Sequence, residues 1–276
     1  MSFKQIFLIF NFLIISTTAQ ATHLCGKLQQ GEIIVGKTDT SSKIIFNQNE
    51  LFTDAKGYFL LAFGRDEKND SDITFTNENK TLTHKLSIAS GNWNIQNIKG
   101  IPPRKVTPSD SDLRNIELEQ KLLKAALATH NTNAYWKKGF ISPVEGRISG
   151  EFGGQRIMNG IKKNPHAGTD IAAPEGTQIK ASSDGVVVLT APDLFYSGNV
   201  VVVDHGYGLH TIYAHMKEIH VQRGDEVKQG DILGLVGQTG RATGPHLHWG
   251  AALSNIKFNP SSLLNINNNN DFCFTL

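Results

Sequence analysis

Much of the chain consists of short runs in which apolar and polar residues alternate. Between Gly26 and Gly100 the segments EIIVGK, SKIIFN, GYFLLAFG, DITFTN and HKLSIAS are rich in Ile, Val, Phe and Thr. KTDTSS, DAKG and NENK separate them and supply the small polar residues and glycine that turns require. A period of two places successive side chains on opposite faces of a strand, so one face can be buried and the other wetted. Residues 22–100 are therefore expected to form a small antiparallel β-domain, of a size that folds alone only marginally.

The period then changes. IPPRKVTPSDSD (Ile101 to Asp112) is a proline-rich break, after which Ser109 and Asp112 have the spacing of a helix-opening capping box. Leu113, Ile116, Leu123 and Leu127, with Leu122 and Ala126, recur at helical spacing and predict a packing face on a linking helix within residues 101–138. From Gly139 the alternation returns in GVVVLTA, NVVVVDHG, LHTIYAHM, EVKQGDILGLVG and HLHWGAAL, separated by glycine turns. Residues 139–264 are expected to be an antiparallel β-sheet domain, and residues 265–276 a polar tail. The fold class is thus mostly β: a small N-terminal β-domain, a linking helix and a C-terminal antiparallel sheet.

Composition changes this picture at the ends. Lys4, the apolar run IFLIFNFLII and the small-x-small AQA at Ala19–Gln20–Ala21 have the form of a secretory signal peptide over residues 1–21. The run is short for a bilayer span, so stable membrane insertion is not expected after cleavage. A periplasmic location follows. The two cysteines, Cys25 and Cys273, stand at opposite ends of the mature chain; one bridge between them or two unpaired thiols both fit an oxidising compartment. A formal net charge of +2 does not imply a strong electrostatic grip on nucleic acid.

Seven of the ten histidines fall between positions 166 and 248. His246 and His248 stand at i and i+2, so a strand presents both imidazoles on one face. His166 and Asp170 lie in PHAGTD, where Pro165 and Gly168 argue for a loop entering a strand rather than a helix. His215 stands in a third alternating segment, YAHM. One carboxylate and two imidazoles would give zinc three N/O ligands and leave a fourth position open, the pattern of catalytic sites. Each motif alone also fits ordinary surface residues.

HAGTD, YAHM and TGPHLHWG, in this order and on the glycine-rich scaffold between them, resemble the lysostaphin/LytM-type zinc metallopeptidases that cut peptidoglycan cross-bridges. The resemblance covers roughly Phe140 to Pro260; the upstream β-domain, read as Ig-like, and the helix are similar to the secreted Gram-negative subgroup. It implies one Zn2+ per chain on His166, Asp170 and His248, with His215 and His246 as catalytic histidines off the metal. No HExxH motif occurs, so a histidine must serve as base. The implied activity is a secreted endopeptidase on stem-peptide cross-links; a carboxypeptidase and a non-catalytic activator of cell-wall amidases are the alternatives. Peptidoglycan is the expected partner, with a cell-envelope regulatory protein as a further one. Arg156 is a candidate contact for substrate carboxylates through its bidentate fork, with a salt bridge as the alternative. His205, His210 and His220 are expected to be structural or surface residues.

Overall fold

The computed structural model describes residues 22–78, 80–266 and 273–276. Residues 1–21, read above as a signal peptide, lie outside the described residues. No helix among those described is long and apolar enough to cross a membrane.

Two four-stranded antiparallel sheets face each other at the N-terminal end. One runs in the order Cys273–Thr275, His23–Cys25, Ile33–Lys37, Tyr58–Ala62; the other runs Asn49–Leu51, Lys43–Phe46, Asp70–Thr76, Thr81–Ser87. Leu24, Ile34, Phe46, Phe59, Leu61, Ile73 and Phe75 fill the space between them. The continuous apolar run YFLLA has a physical reason. Phe59 and Leu61 point into the sandwich, while Leu60 and Ala62, with Ile33, join the core of the large C-terminal sheet beside Phe258 and Leu253. A strand covered on both faces gives up polar alternation.

The polar tail carries structure of its own. Cys273–Thr275 pairs antiparallel with His23–Cys25, and Cys25 is disulfide-bonded to Cys273. The bridge ties the two ends of the described chain across one sheet edge.

Helix Asp110–Ala126 opens with the expected capping box: the Ser109 hydroxyl accepts from the Asp112 amide, and Asp112 accepts from the Ser109 amide. Arg104 pairs with the same carboxylate. Ile116, Ala126 and Leu127 are buried, and Leu123 packs beside the last two on Leu189, Ala191, Leu194 and Val202 of the large C-terminal sheet. Leu113 and Leu122 are instead 50% and 43% exposed. The docking stripe is narrower than the pattern suggested: Leu123, Ala126 and Leu127 meet the sheet, and Leu113 and Leu122 turn away from it.

The large sheet runs Glu226–Val227, Gly185–Leu194, Gly198–Asp204, Leu209–Ile219, His246–Leu253, Gly168–Ala172, Arg147–Gly150, with antiparallel pairing throughout. Its last strands before the edge carry the histidine motifs. A smaller sheet joins the two halves: Ile95–Ile98 runs parallel to Gln155–Met158, with Gln96 opposite Arg156.

Candidate metal centre and its cavity

Strand register builds the site. Asp170 pairs with His248, Ala172 with His246, and on the other side Ala214 pairs with His248. Asp170, His248 and Ala214 thus form one row across three neighbouring strands. His215 follows Ala214 at an irregularity of its strand, in a left-handed conformation at φ 62°, which is uncommon outside glycine and is sustained only where the surroundings fix it. Here its amide donates to the Ser197 carbonyl at 2.8 Å and its ring nitrogen Nδ1 donates to the Thr239 carbonyl at 2.8 Å. His166 lies on the loop before the strand, anchored by its amide to the Gly154 carbonyl at 2.8 Å.

Gly168 lets the strands approach. A Cβ there would sit 2.5 Å from the Trp249 carbonyl and 2.7 Å from His248 Nε2, closer than any side chain tolerates.

His166 Nε2, Asp170 Oδ1 and His248 Nδ1 converge, with separations of 3.0, 3.0 and 2.8 Å. Proton bookkeeping shows what the triangle fits. His166 Nδ1 is 2.9 Å from the Glu151 carbonyl, which can only accept, so Nδ1 carries the proton and Nε2 offers a lone pair. That lone pair faces a carboxylate oxygen and a second imidazole. At most one proton, on His248, lies among three acceptors. A cation at the centre satisfies all three, and the spacing is close to the roughly 3.3 Å edge of a tetrahedron with arms of about 2.0 Å. These are the residues among those described that can hold a metal.

The electrostatics agree. Burial pushes the His166 imidazole down to about 4, so it is neutral and available as a ligand near pH 7. Burial works against the Asp170 carboxylate, but the group is held well below the usual carboxylate range, with the hydrogen bond from His248 Nδ1 among the causes. Its second oxygen, Oδ2, accepts from Arg156, whose Nε donates to Gln96 Oε1 at 3.4 Å. Arg156 therefore makes the ion-pair contact, with its side chain 14% exposed on the cavity wall.

His246 and His215 stand beside the triangle, their rings 4.8 Å apart. His246 Nδ1 donates to the Gly244 carbonyl at 2.8 Å, so its Nε2, 3.8 Å from Asp170 Oδ1, is the basic nitrogen. The same logic leaves His215 Nε2 basic. Burial first, then the neighbouring His248 and His246, push His215 down to about 3. The other histidines lie apart: buried His205 bonds Asp184 and Thr211, His210 bonds Thr129, and His220 reaches Glu218 on the surface.

The site opens into a cavity of about 240 Å³ whose walls include Arg156, Tyr196, His215, Arg241, His248 and Lys257. Sequence reasoning missed Tyr196, Arg241 and Lys257; Arg241 stands two residues before TGPHLHWG, but spacing alone does not aim it at the site. It also missed Asn94, which donates to Glu151 at 2.7 Å, and Gln96.

Residues 164–260 match the family model described as Peptidase family M23. The chain is 35% identical over 192 residues to "Peptidoglycan DD-endopeptidase ShyA" of Vibrio cholerae, covering 68% of this chain and 41% of that protein. It is 41% identical over 129 residues to "DD-carboxypeptidase/endopeptidase Mpg" of Neisseria meningitidis, covering 46% of this chain and 30% of that one. The chain thus spans less than half the length of these relatives. A crystal structure of a peptidase M23 from Pseudomonas aeruginosa superposes with a TM-score of 0.67 at 26% identity, over 87% of this chain and 96% of that one.

Proposed function

The chain carries a metallopeptidase domain of family M23, and on that premise we propose that it is a periplasmic, zinc-dependent endopeptidase that hydrolyses amide bonds in peptidoglycan stem-peptide cross-links. One observation carries the reading: His166, Asp170 and His248 turn three ligand atoms that share at most one proton to one point, with two imidazole lone pairs beside it. Zinc held by these three residues would polarise a carbonyl and lower the pKa of water.

The protein's own groups supply the rest. Arg156, on the far oxygen of Asp170, fixes the carboxylate's orientation, as the Glu151 carbonyl fixes the tautomer of His166. His215 and His246 both offer Nε2 as acceptor, so one takes the proton of the attacking water and delivers it to the departing amine as the C–N bond breaks. The other can donate to the oxygen that gains charge when the carbonyl carbon becomes tetrahedral only by taking a second proton from solvent as that charge develops, and it returns that proton to solvent when the tetrahedral carbon collapses. The carbonyls of Thr239 and Gly244 hold both rings in the required tautomer. Peptidoglycan is the partner this reading requires. Residues 1–21, read as a signal peptide, are what supports the location.

The relative named carboxypeptidase/endopeptidase keeps terminal trimming as a second reading. Mass spectrometry of digested sacculi separates the two. Loss of cross-linked dimers with a matching gain of monomers is expected; dimers that persist while monomers lose a terminal residue would establish trimming instead. A non-catalytic amidase activator has no use for five intact site residues, and it predicts that neither product changes.

A further inference from the structure

The cavity beside the metal centre is lined by three cationic side chains, Arg156, Arg241 and Lys257, and by no carboxylate among the described residues. Arg156 is committed to Asp170. Asp170 accepts from Arg156 and His248, and neither Arg241 nor Lys257 bonds to it. Among the described residues neither Arg241 nor Lys257 has a carboxylate partner. Two unpaired cations on one concave wall, next to a centre that would hold a divalent ion, create a strong local preference for an anion.

Arg241 is also positioned rather than loose. Its guanidinium carbon lies 4.1 Å above the Tyr196 ring, and its amide donates to the Tyr196 carbonyl at 2.9 Å. Stacking occupies a face of the guanidinium and leaves its N–H donors free for an in-plane acceptor. The platform beneath is fixed from behind: the amide of Phe195, next to Tyr196, donates to both Glu119 oxygens at 2.9 and 2.8 Å. Two residues before Arg241, Thr239 accepts the His215 ring proton at its carbonyl and donates to the Met216 carbonyl at 2.8 Å. The loop that carries Arg241 is thereby tied to a proposed catalytic imidazole.

We propose that Arg241, assisted by Lys257, is the subsite for a free carboxylate of the cross-linked peptide and selects acid over amidated stem peptides. This rests on the endopeptidase reading and places the carboxylate contact on Arg241, which faces no carboxylate among the described residues, rather than on Arg156, which Asp170 already engages. The carboxylate can come from the carbon next to the scissile nitrogen or from the peptide's C-terminus, since both offer the same planar pair of acceptors.

The test uses the full mature chain loaded with zinc and three synthetic cross-linked peptides: the free acid, the carboxamide next to the scissile nitrogen, and the carboxamide at the C-terminus. Wild type is expected to cut the acid about 10- to 100-fold faster in kcat/KM than one of the two amides, and which amide fails identifies the source. Arg241→Gln is expected to lose that preference by slowing on the acid alone, mostly through KM, with partial rescue in Arg241→Lys. Equal rates of wild type on all three peptides, or an Arg241→Gln that slows equally on acid and amides, would overturn the subsite. Calorimetric binding of the acid and its amides to metal-free protein scores the subsite independently of cleavage. Selective binding of the acid without any cleavage would retain the subsite and remove the endopeptidase reading.

Discussion

Gly168→Ala probes how closely the metal centre depends on strand approach. The added methyl would stand 2.5 Å from the Trp249 carbonyl oxygen and 2.7 Å from both Cε1 and Nε2 of His248. An ordinary carbon–oxygen contact needs roughly 3.3 Å, so the strands Gly168–Ala172 and His246–Leu253 must part by several tenths of an ångström. Overpacking of this kind costs about 1–3 kcal/mol. The larger consequence is at the site, because Asp170 and His248 are paired on those same two strands and their ligand atoms are 2.8 Å apart. Metal ligand distances tolerate about 0.2 Å, so affinity should fall at least about 10-fold. Competition with a chromogenic chelator reads the affinity, and thermal unfolding of metal-free protein reads the packing cost. Gly64→Ala is the control, since a Cβ there meets nothing nearer than 3.7 Å. A Gly168→Ala protein with wild-type metal affinity would refute the claim that strand register sets the ligand triangle.

Three further outcomes follow from the same geometry. Arg156→Ala leaves the Asp170 Oδ2 atom buried without its guanidinium and should cost metal-free protein about 3 kcal/mol, seen in denaturant unfolding; unchanged stability would show the pair is idle. Replacing Cys25 and Cys273 by Ala opens a sequence separation of 248 residues and should lower stability by about 2–5 kcal/mol while hydrolysis by the folded protein is unchanged, because the bridge joins strands of the N-terminal sandwich and not of the sheet that carries the site. His205 is fully buried, and burial depresses it from 6.5 to about 4, so the folded state resists a proton that the unfolded chain accepts. Its stabilising contribution is complete above pH 6.5 and is lost as pH falls towards 4, by about 3 kcal/mol; stability that stays flat across that window would contradict the burial argument.

What the sequence made legible tracks the range of the physics involved. Strands and the helix cap rest on neighbours within a few residues, and both were readable: Ser109 and Asp112 cap the helix as their spacing implies. The i, i+2 spacing of His246 and His248 likewise dictates a shared face, and pairing then brings Asp170 opposite His248. The fine width of the helix stripe was not readable, since Leu113 and Leu122 fit the period but find no sheet beneath them. Arg156 illustrates the limit more sharply. Its type allows either a substrate contact or an ion pair, and only the fold, which sets Gln96 beside it from 60 positions away and Asp170 in front, supplies the ion pair. Arg241 was silent for the same reason, because its platform Tyr196 comes from a different loop. The tail NINNNNDFCFTL reads as polar, yet its last residues form a strand because Cys273 meets Cys25.

The central claim is that His166, Asp170 and His248 hold one zinc whose presence makes cross-link hydrolysis possible. Zinc titration into chelator-treated protein, with cleavage of a purified cross-linked muropeptide dimer followed at each addition, tests it most directly. The account predicts no cleavage by the metal-free protein, recovery that saturates at one zinc per chain, and neither tight binding nor cleavage in His248→Ala. Full-rate cleavage by the metal-free protein, or by His248→Ala, would contradict it.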